Sequence, residues 1–210
     1  MKILDEISER LQEGSQEEVK AKVEKALEEE IEAEKILNEG LLKGMSIIGK
    51  KFKENEVFVP EVLVSARAMN GGMEILKPKL VEDGVESTGT VVLGTVKDDL
   101  HDIGKNLVRM MLEGAGFEIF DLGTDVSPEE FVEKIIEEKP DIVGLSALLT
   151  TTMENIGEVI EVLEEEGLRE EVFVMVGGAP ITDDFAKEVG ADAYASDASR
   201  AAEVAEKAVS

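Results

Sequence analysis

The only histidine of the chain, His101, stands in Val96-Lys97-Asp98-Asp99-Leu100-His101-Asp102-Ile103-Gly104-Lys105-Asn106. A neutral imidazole binds a metal through one ring nitrogen while a hydrogen-bond partner on the other fixes the tautomer. Asp99, two residues upstream, is placed to be that partner. Asp98 and Asp102 add carboxylates beside the pair, and Gly104 permits a tight turn or the close passage of a bulky ligand. A histidine in such a stretch is also an ordinary exposed loop residue, so what gathers around it must decide.

Two other segments carry residue types suited to holding a ligand. These are Ser146-Ala147-Leu148-Leu149-Thr150-Thr151-Thr152-Met153 and Gly177-Gly178-Ala179-Pro180. Small hydroxyl residues and adjacent glycines can line a slot in which a long polar tail approaches the backbone closely. Singly, each has a plainer explanation, because Ser and Thr cap helices and Gly-Gly makes turns.

The surrounding elements bring the three segments to one place. Thr90–Val96 is rich in β-branched residues and Asn106-Leu107-Val108-Arg109-Met110-Met111-Leu112 has helical spacing, so His101 falls on a strand-to-helix connection. Further strands are predicted over residues 117–121, 142–146, 172–176 and 193–196, with helices between them. One helix opens at Ser127-Pro128-Glu129-Glu130 with a capping box and a first-turn proline. The alternation predicts an α/β fold: a five-stranded, doubly wound parallel sheet of the Rossmann or flavodoxin kind over residues 90–210. With strand order 2-1-3-4-5, ligands bind beyond the carboxyl ends of the strands near the switch between strands 1 and 3. The three segments follow strands 1, 3 and 4.

Residues 1–82 read as a four-helix bundle. Ser15 and Glu18 suggest a capping box opening a helix that runs to about Gly40, and a further helix carries Leu41, Leu42, Met45, Ile48 and Phe52 on one face. Glu54-Asn55-Glu56 ends it. Pro60 fits the first turn of a fourth helix with Leu63, Ala66, Met69, Met73 and Leu76 inward. The polar residues 83–89 read as a linker and a hinge. No internal repeat is evident.

Composition narrows the partners. The 210 residues carry a formal net charge of −26, which argues against nucleic acid and anionic membrane. Cysteine is absent, which excludes disulfides, thiolate zinc sites and cysteine-ligated clusters, so a metal arrives in a cofactor or binds through His and carboxylates. No signal-peptide core or bilayer-length apolar run is present, and a cytoplasmic location is expected.

Asp99-x-His101-x-x-Gly104, Ser146-x-Leu148 and Gly177-Gly178 together resemble the cobalamin-binding signature. The whole chain is similar to the corrinoid methyl-carrier proteins of anaerobic methanol, methylamine and methoxyaromatic methyltransferase systems, and to the cobalamin region of methionine synthase. The resemblance implies a cobalamin bound base-off, with His101 as the lower axial ligand of cobalt and Asp99 hydrogen-bonded to it. The nucleotide tail would enter the slot lined by Ser146, Leu148, Gly177 and Gly178, with Thr150 and Ala198 also at contact positions. Thr152 takes the place of a relay serine in methionine synthase, so the third relay member is altered. Phe52 and Val59 match two apolar cap residues over the methyl face of the corrin, Val59 replacing a leucine; Phe52 equally fits the bundle core.

The implied function is a methyl shuttle between a substrate:corrinoid methyltransferase and a second methyltransferase acting on tetrahydrofolate or a thiol, with a protein for reductive activation as a further partner. The chain would be a subunit of such a system, having no evident substrate-activating site of its own. Two alternatives remain open at this point: the small subunit of an adenosylcobalamin mutase, which the bundle disfavours, and a cobalamin-binding sensor, which would need a DNA-binding module. A metal-binding receiver domain would need an acidic residue where Ser146 stands.

Overall fold

Apolar residues at three- and four-residue spacing make the N-terminal part helical, each helix burying one face. The helices are α1 (Lys2–Gln12), α2 (Gln16–Glu28), a continuous rod of α3 (Ala33–Ile36), a π-helical segment (Leu37–Leu42) and α4 (Lys43–Lys53), and then α5 (Val59–Asp83). The computed structural model describes residues 2–210. The chain divides into two units, Met1–Ser87 with Gly114–Gly116, and Thr88–Glu113 with Phe117–Ser210. The helices of the first unit close over Leu4, Ile7, Leu11, Val23, Ile36, Leu41, Ile48 and Leu76, all buried.

This unit departs from its sequence pattern in four places. α2 stops at Glu28, well before Gly40, because Glu30 adopts φ +57°. Glu30 N–H then donates to Leu27 O (3.0 Å) and Ile31 N–H to Ala26 O (3.1 Å), the pair of bonds that ends a helix when a left-handed residue follows its cap. Gly40, expected as a break, lies inside the rod. A Cβ there would sit 3.1 Å from Ile7 Cγ2, and one on Gly44 3.1 Å from Ser8 O, so the two glycines let α1 pack close. Ser15 precedes α2 but makes no side-chain capping bond, so the expected box with Glu18 does not form. Leu63 is exposed, the inward face of α5 being taken by Val62, Ala66, Met69 and Leu76, with Met73 half-buried. The helix continues through Pro78 to Asp83, where Gly84 (φ +71°) terminates it.

The second unit alternates strand and helix: β1 (Thr90–Val96), α6 (Ile103–Gly114), β2 (Glu118–Val126), α7 (Pro128–Glu138), β3 (Ile142–Ser146), α8 (Glu154–Glu165), β4 (Phe173–Gly177), α9 (Asp183–Glu188), β5 (Ala193–Ala195) and α10 (Ala198–Ala208). Its five strands are parallel in the order β2-β1-β3-β4-β5, the doubly wound arrangement read from the sequence. The capping box at Ser127 forms, with Glu130 N–H donating to Ser127 Oγ (3.3 Å) and Ser127 N–H to Glu130 Oε2 (2.9 Å). β2 continues past its expected end at Asp121 to Val126, through irregular pairing with β1 that includes the left-handed residues Gly123 (φ +84°) and Asp125 (φ +58°).

One feature of the register positions everything that follows. Thr95 of β1 pairs with Ser146 of β3, Ser146 with Gly177 of β4, and Gly177 with Ala195 of β5. The carboxyl ends of four strands therefore stand level, and the loops leaving them emerge at one edge. Among the described residues, no helix is long and apolar enough to cross a membrane.

Candidate corrinoid site

The segments predicted from spacing converge at that edge on one buried carboxylate. Asp99 is fully buried. Its Oδ1 accepts from the His101 backbone N–H (3.0 Å) and lies 2.7 Å from His101 Nδ1. Its Oδ2 accepts from the Leu148 backbone N–H (2.7 Å) and from Thr152 Oγ1 (2.7 Å). A carboxylate so deep would ordinarily have its pKa raised by burial, because the charged form loses its hydration. Here the donors from Thr152, Leu148 N–H, His101 N–H and the His101 ring outweigh that penalty and hold Asp99 well below the usual carboxylate range.

The consequence for the imidazole is definite. An ionised carboxylate only accepts, so Nδ1 carries the proton and the neutral ring keeps its lone pair on Nε2. The His101 side chain is 49% exposed, so that nitrogen belongs to a ring open to solvent. Thr152 supplies the hydroxyl expected of a third member, although it also lies 3.1 Å from Leu149 O. Its single proton favours the charged acceptor.

The remaining expected residues have different surroundings, each within its own unit. Asp98 and Asp102 are exposed; Asp98 N–H donates to Asp125 Oδ1 (2.7 Å), and Asp102 Oδ2 accepts from Asn106 Nδ2 (3.0 Å). Gly104 lies in the first turn of α6, and a Cβ there would meet nothing within 4 Å, so a tight turn is not the reason for this glycine. Gly178 is required by the chain itself: its φ is +136°, and a Cβ would lie 1.8 Å from Ala147 O. A Cβ on Gly177 would lie 3.0 Å from Ala195 O. Gly178 thus brings the loops after β3 and β4 together, with Ala147 N–H donating to Gly177 O (3.2 Å), while Gly177 allows the close approach of β5. Ser146 is half-buried at the level row, and Leu148 and Thr150 are exposed on the loop beyond. Ala198 opens α10 and is buried, so its side chain offers little surface; the exposed residues there are Ser196 and Asp197. In the first unit, Phe52 is half-buried at the end of α4 and Val59 is exposed at the start of α5.

Sequence spacing did not identify several apolar residues now conspicuous. Leu100 is 73% exposed and Ile103 80%, on either side of His101, and Leu149 follows the exposed Leu148. Large apolar side chains held open to water around one imidazole suit a large, partly apolar ligand. In the bundle, Phe58 is 63% exposed beside Val59 and Leu63. An apolar residue in the connection after β1, for Leu100, and one at the first position of the following helix, for Ile103, were the signals available.

A B12 binding domain family matches residues 89–204, which include every contact to Asp99 described above, and a second B12 binding domain family matches residues 3–77. The chain belongs to the B12-binding corrinoid proteins. It is 43% identical to a corrinoid protein of Desulfitobacterium hafniense (strain Y51), over 99% of this chain and 97% of that one. It is 48% identical to dimethylamine corrinoid protein 1 of Methanosarcina acetivorans, over 87% and 86% of the two chains. Among solved structures, the methanol:cobalamin methyltransferase complex of Methanosarcina barkeri contains a chain matching 99% of this one and 80% of its own length, with 30% identity and a TM-score of 0.90. Both halves of a corrinoid protein, the helical unit and the α/β unit, are therefore represented here.

Proposed function

We propose that this corrinoid protein is a methyl carrier that binds cobalamin base-off, with His101 Nε2 as the lower axial ligand of cobalt. The observation that carries the reading is the half-exposed imidazole whose Nδ1 is engaged by buried Asp99, leaving Nε2 as the free donor. The donor set suits a corrinoid better than a bare ion. The chain has no cysteine and one histidine, and among the described residues no group of three or more His, Cys, Asp or Glu could hold a metal ion. Exposed Leu100, Ile103, Leu148 and Leu149 fit a macrocycle with extensive apolar surface.

Bound there, the corrinoid supplies a cobalt centre that accepts and gives up a methyl group. The chain's residues orient it. Asp99 fixes the tautomer of His101 and shares the Nδ1 proton, and Thr152 holds the carboxylate on its other oxygen, so the basicity of the ligating nitrogen is set two bonds away. Ser146, Leu148, Thr150, Gly177 and Gly178 receive the nucleotide tail. A substrate:corrinoid methyltransferase delivers the methyl group, as the similarity to methylamine and methanol system proteins supports. A second methyltransferase, using tetrahydrofolate or a thiol, removes it, and an activating reductase-type partner restores the reduced state. A cytoplasmic location accords with such partners.

The test is ligation. The chain is reconstituted with hydroxocobalamin, reduced to Co(II) and studied by electron paramagnetic resonance, with and without nitrogen-15 histidine labelling, beside His101→Ala. Hyperfine splitting from one histidine nitrogen that vanishes in the variant is the expected result. A free-cofactor spectrum from both proteins overturns the reading.

A further inference from the structure

The turn that carries Asp99 and His101 is held at three consecutive residues by groups outside it. Asn155 Nδ2, on α8, donates to Lys97 O (2.6 Å). Asp98 N–H donates to Asp125 Oδ1 (2.7 Å), and Asp125 N–H donates back to Asp99 O (3.0 Å). Asp98 and Asp125 face each other in left-handed conformations, φ +63° and +58°, which a short carboxylate side chain tolerates better than most residues. Residues 97–99 lie beyond the end of β1, so their backbone groups have no strand ladder of their own and need such partners.

We infer that Asp125, from the edge strand β2, and Asn155, from α8, are positioning residues that set the depth and pitch of the ligand-bearing turn. The four bonds to the Asp99 carboxylate fix only its side chain. The clasp fixes the backbone from which that side chain reaches Leu148 N–H and Thr152, and so determines whether His101 Nδ1 arrives within bonding distance. Neither residue is placed to touch the imidazole through any bond described here; both act through the backbone of residues 97–99. The functional meaning of the inference rests on the cobalt-ligand reading of His101, but the geometry does not.

The test exploits the single histidine and needs no cofactor. In the full-length chain with nitrogen-15 histidine, at one fixed alkaline pH, the two ring nitrogens should appear as a protonated Nδ1 and an unprotonated Nε2. Asp125→Gly retains freedom for the left-handed backbone and removes the carboxylate; it should draw the two resonances together as the tautomers mix. Asp125→Asn keeps an acceptor at Oδ1 and should restore the separated pair. Hydroxocobalamin titration should follow suit, with affinity for the glycine variant reduced by the fraction of the ring left in the binding tautomer, about twofold when the two tautomers are equally populated. A folded Asp125→Gly with the parent's ring resonances overturns the inference. Should circular dichroism show that variant unfolded, Asn155→Ala carries the same test with the same two outcomes. Failure of His-on ligation would appear in the cobalt spectrum of the parent protein and leave these cofactor-free resonances to be read separately.

Discussion

Thr152→Val offers a sharp measure of how tightly the site is organised around Asp99. Thr152 is 3% exposed, and its hydroxyl lies 2.7 Å from Asp99 Oδ2. Valine nearly preserves the shape and removes one donor from a buried charge. A hydrogen bond to a charged group contributes about 1.5–3 kcal/mol, so a loss of about 2 kcal/mol is expected. The chain contains one tyrosine and no tryptophan, and Tyr194 lies in β5, so intrinsic fluorescence during urea unfolding reports on the α/β unit alone. With a urea slope of about 2 kcal/mol per molar, the midpoint should fall by about 1 M. Thr151→Val, at an exposed neighbour, should stay within about 0.5 kcal/mol of the parent. The sign with pH is also set. Asp99 titrates lower in the folded chain than in the unfolded one, so the ionised network stabilises fully above the unfolded value of about 3.9 and loses its effect as pH falls below it. The penalty in Thr152→Val should accordingly shrink in acid. A neutral-pH loss no greater than that of Thr151→Val would refute the argument that the hydroxyl supports the buried carboxylate.

The glycines of the site should separate by what each one is for. Gly104→Ala introduces a Cβ with no neighbour within 4 Å in a helical turn, so stability should hold or rise by up to about 1 kcal/mol while cobalamin affinity falls at least tenfold; unchanged affinity in a titration would show that the position faces no ligand. Gly178→Ala places its Cβ 1.8 Å from Ala147 O at a φ of +136°, and combined strain and overlap should cost about 3 kcal/mol or more; a urea midpoint close to the parent's would contradict the packing described.

Much of this was legible because the informative residues sit at strand ends, and strand order follows from alternation and handedness. His101, Ser146 and Gly177 could be assigned to one edge before any contact was known. Asp99 as the partner of His101 was legible from the two-residue offset. The clasp by Asp125 was not, since it depends on β2 running past Asp121 through paired left-handed residues that leave no hydrophobic period. The stop after α2 was hidden for a related reason: Glu30 does what a pattern reader expects of glycine. Gly40, conversely, looked like punctuation and proved to be a packing surface. Leu100 and Ile103 stand in a polar stretch with no hydrophobic period, and only their exposure reveals them.

The carboxylate of Asp99 is a rigid planar group with two donors on each oxygen, one pair from the His101 turn and the other from the loop after β3. It behaves as a yoke. A displacement of the imidazole that stretches its bond to Oδ1 pulls on the carboxylate, and through Oδ2 on the Leu148 backbone N–H and the Thr152 hydroxyl. The ring and the loop after β3 are thus tied to each other through one carboxylate and not through the backbone that joins them.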